Sequence, residues 1–318
     1  MTPKGNPKVS EDNLNTISDD APEEAKLLRE YTILTNRHRM INTWLESVGN
    51  DGRIHGKIFS IGAVTHRCSH ISPNTANIPG VLDKRGRANP YGRECRALWG
   101  VAESRRLLGV DAKGIQARIL ADRMGDQEYI NIVLDPKGDV HTYHMSKTKY
   151  GTRSQNKTFF YAWVLGAQAK KVGSIFGVSP KIGAEIMDNF LSNFPALQEL
   201  KQRMEKLAER GWYKASDGRY IPIKSKRHAL SVLLQGEEQA IMKTSLILDY
   251  QQYTKESIDA HLVGFVHDEK QIDCIENQAV YAGSIAAANI AKAGGILGFH
   301  RCPMEGDVKI GNTWADTH

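Results

Sequence analysis

Hydrophobic and polar positions alternate with different periods along the chain, and they predict a helical beginning followed by mixed helices and strands. Over residues 23–48, apolar side chains such as Leu28 and Trp44 recur at helical spacing. This period predicts one amphipathic helix, or two helices separated by a break near Asn36. Residues 1–22 are rich in Asn, Asp, Pro and Ser and have few large apolar side chains, so we expect a disordered tail.

Alternation and turn residues predict the elements that follow. Residues 55–65 alternate and indicate a β-hairpin, which leads into the basic, small-residue run 67–70. Residues 72–80 contain too many prolines and asparagines for regular structure, and we expect a loop whose backbone donors can bind phosphate or sugar edges. Further predicted elements are helices at 182–190, 197–207 and 277–294, a hairpin at 211–223 that turns at Asp217-Gly218, a long helix that starts at the basic cluster 224–228, and a last strand at 307–310.

An apolar run at residues 262–266 ends abruptly in His267-Asp268-Glu269, and residues 270–274 then read as a returning strand. The pattern predicts a tight hairpin with acids at its tip. Neighbouring carboxylates repel each other, so an ionised pair needs a cation, and hard oxygen ligands suit Mg²⁺ or Mn²⁺. An acidic hairpin tip is more often a solvated turn, and a metal site requires a second acid from elsewhere.

Such an acid closes another apolar strand, at residues 107–111, where Asp111 is followed by Ala112. Gly114 then admits a helix with an apolar face. Two strand-end acids can share two metal ions about 3.5 to 4 Å apart and stabilise the attacking and leaving oxygens of phosphoryl transfer. For Asp111 alone, helix capping is the plainer interpretation.

The stretch 151–166 favours the metal interpretation. Thr152 and Gln155 have capping-box spacing, so a helix should begin here. Cationic, aromatic and aliphatic side chains then follow one another at i, i+4 spacing on one face: Arg153, Lys157, Tyr161 and Leu165. Cations near a helix N-terminus suit a triphosphate, and the aromatic side chain suits a sugar or base. A solvated basic turn followed by core aromatics is the alternative, and it leaves this order unexplained.

Composition sets only broad limits. The 318 residues include 42 Lys+Arg and 36 Asp+Glu, and the formal charge of +6 permits a polyanionic partner without requiring one. The four cysteines lie far apart without zinc-ligand spacing, which indicates reduced thiols. No apolar stretch has the length of a membrane span, and no secretory signal is evident, so we expect a cytoplasmic protein without membrane association.

Together, these segments resemble family A DNA polymerases, the DNA polymerase I type, and in particular those of short-tailed phages. Residues 109–111 are similar to the family's motif A, residues 153–166 to motif B and residues 266–269 to motif C, in the family's order. Residues 62–67, 73–74 and 77–80 also match. The resemblance runs from about Ala25 to the C-terminus.

The resemblance implies an α+β right-hand fold, with an antiparallel palm sheet, an inserted helical fingers domain and a thumb that is largely absent. The implied divisions are a disordered tail at 1–22, helices at the thumb base or a partner interface at 23–54, a first palm part at 55–125, fingers at 126–225 and a second palm part at 226–318. The implied activity is template-directed addition of deoxynucleoside triphosphates to the 3′ end of a primer, as in a phage replicative polymerase.

The resemblance also implies residue roles. Asp111, Asp268 and the Ala112 carbonyl would hold two Mg²⁺ ions, with Mn²⁺ as an alternative, and Glu269 would support the site. Four residues would bind the incoming nucleotide: His141, Arg153, Lys157 and Tyr161, with Lys157 also a candidate proton donor to the pyrophosphate. Positions that match primer-template contacts are Arg67, Asn74, Leu165, Gly166, Arg227, Gln235 and His267.

This chain departs from the family's pattern in two ways. The family usually has Glu at Gln116 and an aromatic at Leu165, a pair that shields the pocket against a ribose hydroxyl; here both have changed, and the amide facing an aliphatic chain leaves no orphaned hydroxyl. Gln116 is still expected to contact the nucleotide. The second departure is that only about 50 residues precede the hairpin at His55. We therefore expect a separate subunit that supplies a thumb and an exonuclease.

Other classes of protein explain fewer of these features. A single-subunit RNA polymerase shares the paired aspartates, but Gln116 is bulkier than an open ribose pocket prefers. A two-metal nuclease leaves the stripe of residues 153–165 unexplained. A non-enzymatic DNA-binding module has no need of Asp111 and Asp268 together.

Overall fold

The computed structural model describes residues 9–14, 17–18, 20–83 and 87–317. Its helices are α1 (Glu11–Leu14), α2 (Glu23–Glu46), α3 (Gly92–Ala97), α4 (Ile115–Met124), α5 (Gln127–Leu134), α6 (Val140–Thr148), α7 (Arg153–Val164), α8 (Ala169–Phe176), α9 (Pro180–Ser192), α10 (Pro195–Glu209), α11 (Ala229–Glu256) and α12 (Ala279–Ile296). Its strands are β1 (Lys57–Phe59), β2 (Ser69–Ile71), β3 (Arg105–Ala112), β4 (Trp212–Lys214), β5 (Tyr220–Pro222), β6 (Ala260–Val266), β7 (Glu269–Ile275) and β8 (Gly306–Gly311). The α+β class expected from the sequence is confirmed.

A four-stranded antiparallel sheet in the order β6-β7-β3-β8 lies at the centre of the fold. It contains the predicted strand at 107–111, the predicted hairpin at 262–274 and the predicted last strand at 307–310. Asp111 in β3 lies opposite Glu269 in β7 and opposite Asp307 in β8. Residues directly opposite each other in an antiparallel pair project to the same face of the sheet.

The two faces of β3 have different neighbours. Leu108, Val110 and Ala112 are buried in the main core, against which α12 packs. On the alternate face, Leu107 packs in a smaller core with Trp44 of α2 and Trp314. Asp111 projects from this second face and is exposed. The pleat of the strand therefore separates an acidic position from the hydrophobic core by one residue.

Gly109, between Leu107 and Asp111, is required by a close approach of the C-terminal segment. A Cβ atom at this position would lie 2.3 Å from the Thr317 carbonyl oxygen. Thr317 is buried, and its hydroxyl donates to Gln271 Oε1 on the neighbouring strand at 3.1 Å. The C-terminal segment thus covers the strand that carries Asp111.

Helices α5 to α10 lie between α4 and α11 in the chain and share an aromatic core. His144 of α6 stacks on Phe160 of α7 with ring centroids 4.0 Å apart, and Phe190 of α9 contacts both rings edge-on. The predicted helices at 182–190 and 197–207 are confirmed by α9 and α10, and the predicted hairpin turn at Asp217-Gly218 joins β4 to β5. Helices α5, α6 and α8 are short, and their apolar periodicity did not mark them.

The N-terminal region differs from two expectations. Asn36 does not break the helix, because α2 is continuous and the Asn36 side-chain amide donates to Glu11 at 3.2 Å. Disorder is wrong for residues 11–14, which form α1, with Glu11 paired to Arg37 at 2.7 Å. The remainder of the expected tail falls largely on residues 1–8, 15–16 and 19, which lie outside the described residues.

The first hairpin is longer than expected from residues 55–65. β1 pairs with β2 at Ser69–Ile71, so the returning strand begins after residue 65. Between the strands, the backbone amides of Gly62 and Ala63 both donate to the Arg67 carbonyl at 3.1 Å. This wide closed turn has no tight-turn sequence signature, which accounts for the misplaced strand.

No helix among the described residues combines the length and apolar composition needed to cross a bilayer.

His144 provides a test of the aromatic core. Burial lowers its pKa from 6.5 to about 3, so the folded protein holds the neutral ring while the unfolded chain takes up a proton below about pH 6.5. Unfolding free energy should therefore fall as the pH falls from 6.5 toward 3, by up to about 1.4 kcal/mol per pH unit from this group. Denaturant unfolding of His144→Gln at pH 7, 6, 5 and 4 should give a shallower decline than that of the wild type.

The exposed His300 is the matched control. His300→Gln should keep the wild-type slope. An equal decline in His144→Gln and the wild type would show that the buried ring is not the source of the acid sensitivity. At pH 7, His144→Gln should also be less stable by about 1 kcal/mol because the stacking on Phe160 is lost.

Candidate active site

Two aspartates meet at one end of the sheet. Asp111 lies near the end of β3, and Asp268 lies in the turn between β6 and β7. The Ala112 amide donates to the Asp268 carbonyl at 3.2 Å, which fixes this turn against the end of β3. His267 adopts the positive φ of 57° that a two-residue hairpin turn requires. Backbone pairing therefore joins positions that are far apart in the sequence.

The electrostatics of this end of the sheet favour a cation. Burial is the main cause that raises the pKa of Asp268 to about 7, and the charges of Glu238 and Asp111 contribute to this rise against the opposing effect of Arg67. The ionised Asp268 carboxylate thus lies in an environment with an excess of negative charge. A positive ion beside Asp111 and Asp268 would relieve that excess.

The donors at this end of the sheet fit a small hard cation. Among the residues that the structure describes, no group of three or more His, Cys, Asp or Glu side chains is placed to hold a metal ion. Mg²⁺ is commonly bound by one or two carboxylates, with the remaining ligands taken from substrate phosphates and water. Asp111, Asp268 and a backbone carbonyl such as that of Ala112 match this open donor set.

Glu269 is held on the same face by the C-terminal segment. It is 7% exposed, and its carboxylate accepts from the Trp314 indole at 2.6 Å and from the Gln271 side chain. The Arg96 guanidinium lies over the Trp314 ring, 4.7 Å from its centroid. Glu269 is therefore placed beside Asp111 in a fixed orientation. Asp307, across β3 from Glu269, is an acid that the sequence analysis missed, and the alternation of the last strand was the available signal.

Helix α7 presents the predicted stripe. The capping box of Thr152 and Gln155 is present, and the helix begins at Arg153 as predicted. All four stripe residues are exposed: Arg153, Lys157, Tyr161 and Leu165. Arg153 is ion-paired with Asp139, the N-cap residue of α6. The stripe is thus a solvent-facing row that begins with two cations.

His141 lies beside this stripe. Its ring centroid is 5.7 Å from that of Tyr161, in an edge-to-face arrangement. Burial lowers the pKa of His141, and the nearby cations Lys157 and Arg153 lower it further. The four residues expected to bind the nucleotide are therefore brought together by α6 and α7.

Tyr161 connects this group to the acidic centre. Desolvation raises the pKa of its hydroxyl, and the Asp268 charge is the second cause. The Tyr161 side chain remains 45% exposed. Tyr161 of the stripe is therefore near enough to Asp268 for that charge to act on its hydroxyl.

A buried acid that the sequence analysis did not identify lies near Asp268, on which its charge acts. Glu238 of α11 is 1% exposed. Each of its two carboxylate oxygens accepts a hydrogen bond from Arg67, at 2.9 and 2.7 Å. The Gln116 amide Nε2 donates to the same carboxylate at 2.7 Å. Gln116 is separated from Glu238 by 122 positions in the chain, so no local pattern could have revealed the contact.

The other positions expected to contact DNA are less uniform. Gly166 and Arg227 are adjacent, since a Cβ atom on Gly166 would lie 2.9 Å from the Arg227 carbonyl. Gln235 lies three residues before Glu238 on α11, which places both on one side of that helix. His267 is exposed at the acidic turn. The Asn74 side chain accepts from the Ala76 amide at 3.1 Å and so caps its own turn.

Known proteins share both the sequence pattern and the fold. The sequence profile of DNA polymerase family A matches residues 1–316. A DNA-directed DNA polymerase of Escherichia phage T7 is 30% identical over 356 aligned residues, which include all of this chain and 49% of the phage protein. DNA polymerase I of Aquifex aeolicus is 27% identical over 98% of this chain and 54% of its own length. This chain spans about half the length of these curated relatives.

The fold is also similar to that of a solved polymerase domain. The POL domain of Pol1 from M. smegmatis, solved in complex with DNA primer-template and dNTP, has a TM-score of 0.78, with 21% identity over 92% of this chain and 53% of that chain. The similarity of the fold agrees with the profile match over nearly the whole sequence. The chain belongs to DNA polymerase family A.

Proposed function

We propose that this chain catalyses template-directed addition of deoxynucleotides to a primer 3′ end. The observation that carries the proposal is the placement of Asp111 and Asp268 at one end of the sheet, with the charge of Asp268 acting on Tyr161 of the cationic stripe. In this proposal the sheet is the palm and the helices between α4 and α11 are the fingers. Family membership supports the assignment.

Family A DNA polymerases use divalent metal ions, and we propose that Asp111, Asp268 and the Ala112 carbonyl hold two Mg²⁺ ions. When bound, the ions would stabilise charge on the attacking and leaving oxygens of the phosphoryl transfer. Asp111 and Asp268 orient the site because β3 and the hairpin turn fix their backbones. Glu269 keeps the end of β7 in place through its bond to Trp314.

The residues of α6 and α7 bind the incoming nucleotide in this proposal. Arg153 and Lys157 lie at the N-terminal end of α7, where the helix dipole and the side-chain charges both attract a triphosphate. Lys157 can hold a proton close to the leaving pyrophosphate. Tyr161 lies against the sugar, and Gln116 shields the side of the pocket where a ribose would carry its extra hydroxyl. His141 packs on Tyr161 and holds its ring.

Primer-template DNA is the proposed macromolecular substrate. We propose that Arg67, Arg227, Gln235 and His267 contact this DNA, because their side-chain donors suit phosphate and base edges. Leu165 and Gly166 follow the stripe at the end of α7, beside Arg227. The relative solved with primer-template and dNTP supports this substrate class for the present chain.

The paired aspartates give the first test of the function. Asp111→Asn and Asp268→Asn should each lower single-nucleotide addition by about 10³-fold or more, because each removes a charge that neutralises the bound metal. Rapid-quench extension with Mg²⁺ measures the rate, and fluorescence anisotropy measures primer-template affinity, which should change by less than about threefold.

Asp188→Asn, which changes an exposed acid of α9, is the matched control and should extend primers at the wild-type rate. Near-normal turnover in either active-site variant would contradict the assignment of Asp111 and Asp268. A wild-type chain that adds no deoxynucleotide to any primer would contradict the proposed function itself.

The cationic stripe gives a second test. Within the described residues Lys157 forms no ion pair, whereas Arg153 is shared with Asp139, so Lys157→Ala should have the larger effect. We expect kcat/KM for a deoxynucleoside triphosphate to fall by about 100-fold in Lys157→Ala and by about tenfold in Arg153→Ala.

Lys181→Ala, at an exposed cation of α9, should leave kcat/KM unchanged. Primer-template affinity should stay within about threefold in all three variants. A stripe variant that weakens DNA binding while keeping the wild-type kcat/KM at saturating DNA would assign these cations to DNA and not to the triphosphate.

We also propose a replicative role in the host cytoplasm for a phage enzyme, with a separate subunit that supplies duplex-gripping and exonuclease elements. Phage relatives support the role. Exposed apolar side chains on α2 support the existence of this subunit, since an apolar surface patch is typically covered by a protein partner. These side chains are Leu27, Leu28, Tyr31, Leu34 and Leu45.

The separate subunit predicts weak, salt-sensitive synthesis by this chain alone. Primer extension in single encounters, measured from about 50 to 200 mM salt, should be distributive and should decline as the salt concentration rises, because in this proposal the subunit supplies many of the phosphate contacts that hold the duplex. Tyr31→Ser should abolish co-purification of a polymerase-related subunit and leave single-nucleotide addition intact. Processive synthesis by the lone chain near 150 mM salt would end this part of the proposal.

A further inference from the structure

Glu238 is a buried carboxylate that joins two distant segments below the proposed nucleotide site. Arg67 donates to it through Nε and a terminal nitrogen at 2.9 and 2.7 Å, and Gln116 donates through Nε2 at 2.7 Å. The Arg67 side chain is 20% exposed and that of Glu238 is 1% exposed. Water therefore has little access to the acid, and hydrogen bonds from Arg67 and Gln116, with a longer one from Gln239 at 3.5 Å, take the place of water.

The chemistry of a carboxylate determines the orientation of the Gln116 side chain. An ionised carboxylate accepts hydrogen bonds and donates none, so only the NH₂ end of the Gln116 amide can face Glu238. A hydrogen bond to a charged acceptor is also stronger than one between neutral groups. Glu238 thus selects one amide orientation for Gln116.

The Gln116 side chain is held close to the reacting groups. It belongs to the first turn of α4, which follows Asp111 at the end of β3. The Glu238 charge reaches Asp268, whose pKa it helps to raise. Arg67 donates to both oxygens of the same carboxylate, and its side chain is the more exposed partner of this ion pair. The carboxylate of Glu238 therefore joins Gln116 to a residue that we propose contacts DNA.

We propose that Glu238 is a positioning residue for sugar discrimination, which acts by holding the Gln116 amide at the side of the pocket that the incoming sugar meets. The inference rests on the proposed function. A freely rotating Gln116 would leave space for a ribose 2′-hydroxyl in part of its conformations. A Gln116 fixed by Glu238 closes that space continuously.

The proposal makes an unusual demand on position 116. Glutamate is the residue that the family usually has there, and it has nearly the same volume as glutamine. In this chain Gln116→Glu places a second carboxylate against Glu238, and like charges in a buried site repel. We therefore expect Gln116→Glu to lower discrimination, because the new side chain is driven away from Glu238.

An exchange of the two groups tests the contact directly. The measured quantity is the ratio of kcat/KM for a deoxynucleotide to kcat/KM for the matching ribonucleotide. Gln116→Glu should lower this ratio by about tenfold, and the double variant Gln116→Glu with Glu238→Gln should restore it to within about threefold of the wild type. Glu238→Gln alone should keep the ratio within about threefold, because its side-chain oxygen still accepts from Gln116.

Arg67→Lys is the matched control, since it keeps the charge beside Glu238 and removes the planar fork. It should weaken primer-template binding and leave the sugar ratio unchanged within threefold. Thermal unfolding of each variant measures its stability independently of activity. If substitutions of the buried Glu238 destabilise the protein, Gln116→Glu alone still tests the inference.

Three results would overturn the inference: an unchanged or higher ratio in Gln116→Glu, a double variant no better than Gln116→Glu, or a tenfold loss of discrimination in Arg67→Lys. The last would mean that Glu238 acts through Arg67. Failure of the proposed function is distinct, because it would appear as a wild-type chain without deoxynucleotide addition, before any ratio is compared.

Discussion

The register of β3 against β7 is the constraint on which the site depends. In this register Asp111 lies opposite Glu269, and the turn that follows β6 sets Asp268 against Ala112. Side chains alternate between the faces of a strand, so a shift by one residue would send Asp111 into the core occupied by Val110 and Ala112. The hydrophobic residues of β3 thus specify the position of its acid.

Negative charge that is gathered in this way must be compensated, and the protein does so unequally. Arg67 and Gln116 satisfy Glu238 within the fold, and Trp314 and Gln271 satisfy Glu269. Asp268 is instead left with a raised pKa by its burial and its acidic neighbours. The fold thereby supplies hydrogen bonds to the acids that support the site and leaves Asp268 in an excess of negative charge, where a cation would act.

Local patterns in the sequence predicted the parts of the site that local physics determines. The capping box at Thr152 and Gln155 marks the start of α7, and the apolar runs before Asp111 and Asp268 mark two strands that end in acids. Their joint meaning came from the resemblance to a family, because no rule of spacing relates residues on different strands. The tail, the break at Asn36 and the returning strand of the first hairpin were misjudged where tertiary contacts outweigh local preference.

Glu238 illustrates the complementary limit. Helix α11 is buried over much of its length. In the sequence, an acid at one of its buried positions departs from the apolar pattern, and nothing nearby in the sequence indicates its partner. Its partners Arg67 and Gln116 belong to a loop and to a helix that are brought together only when the sheet has formed. Long-range polar networks of this kind can be identified only from a structure, because the sequence around a donor does not indicate which distant acceptor it binds.

The passage of the C-terminal segment over Gly109 links two stretches of sequence that must change together. Even an alanine at Gly109 would bring its methyl group to 2.3 Å from the Thr317 carbonyl, so neither stretch can vary freely while the other is kept. Chimaeras that exchange palm strands between members of the family should therefore exchange residues 313–317 as well. A recombination boundary placed between β8 and Trp314 would take Glu269 and its indole donor from different parents. It would also pack the C-terminal segment of one parent against β3 of the other.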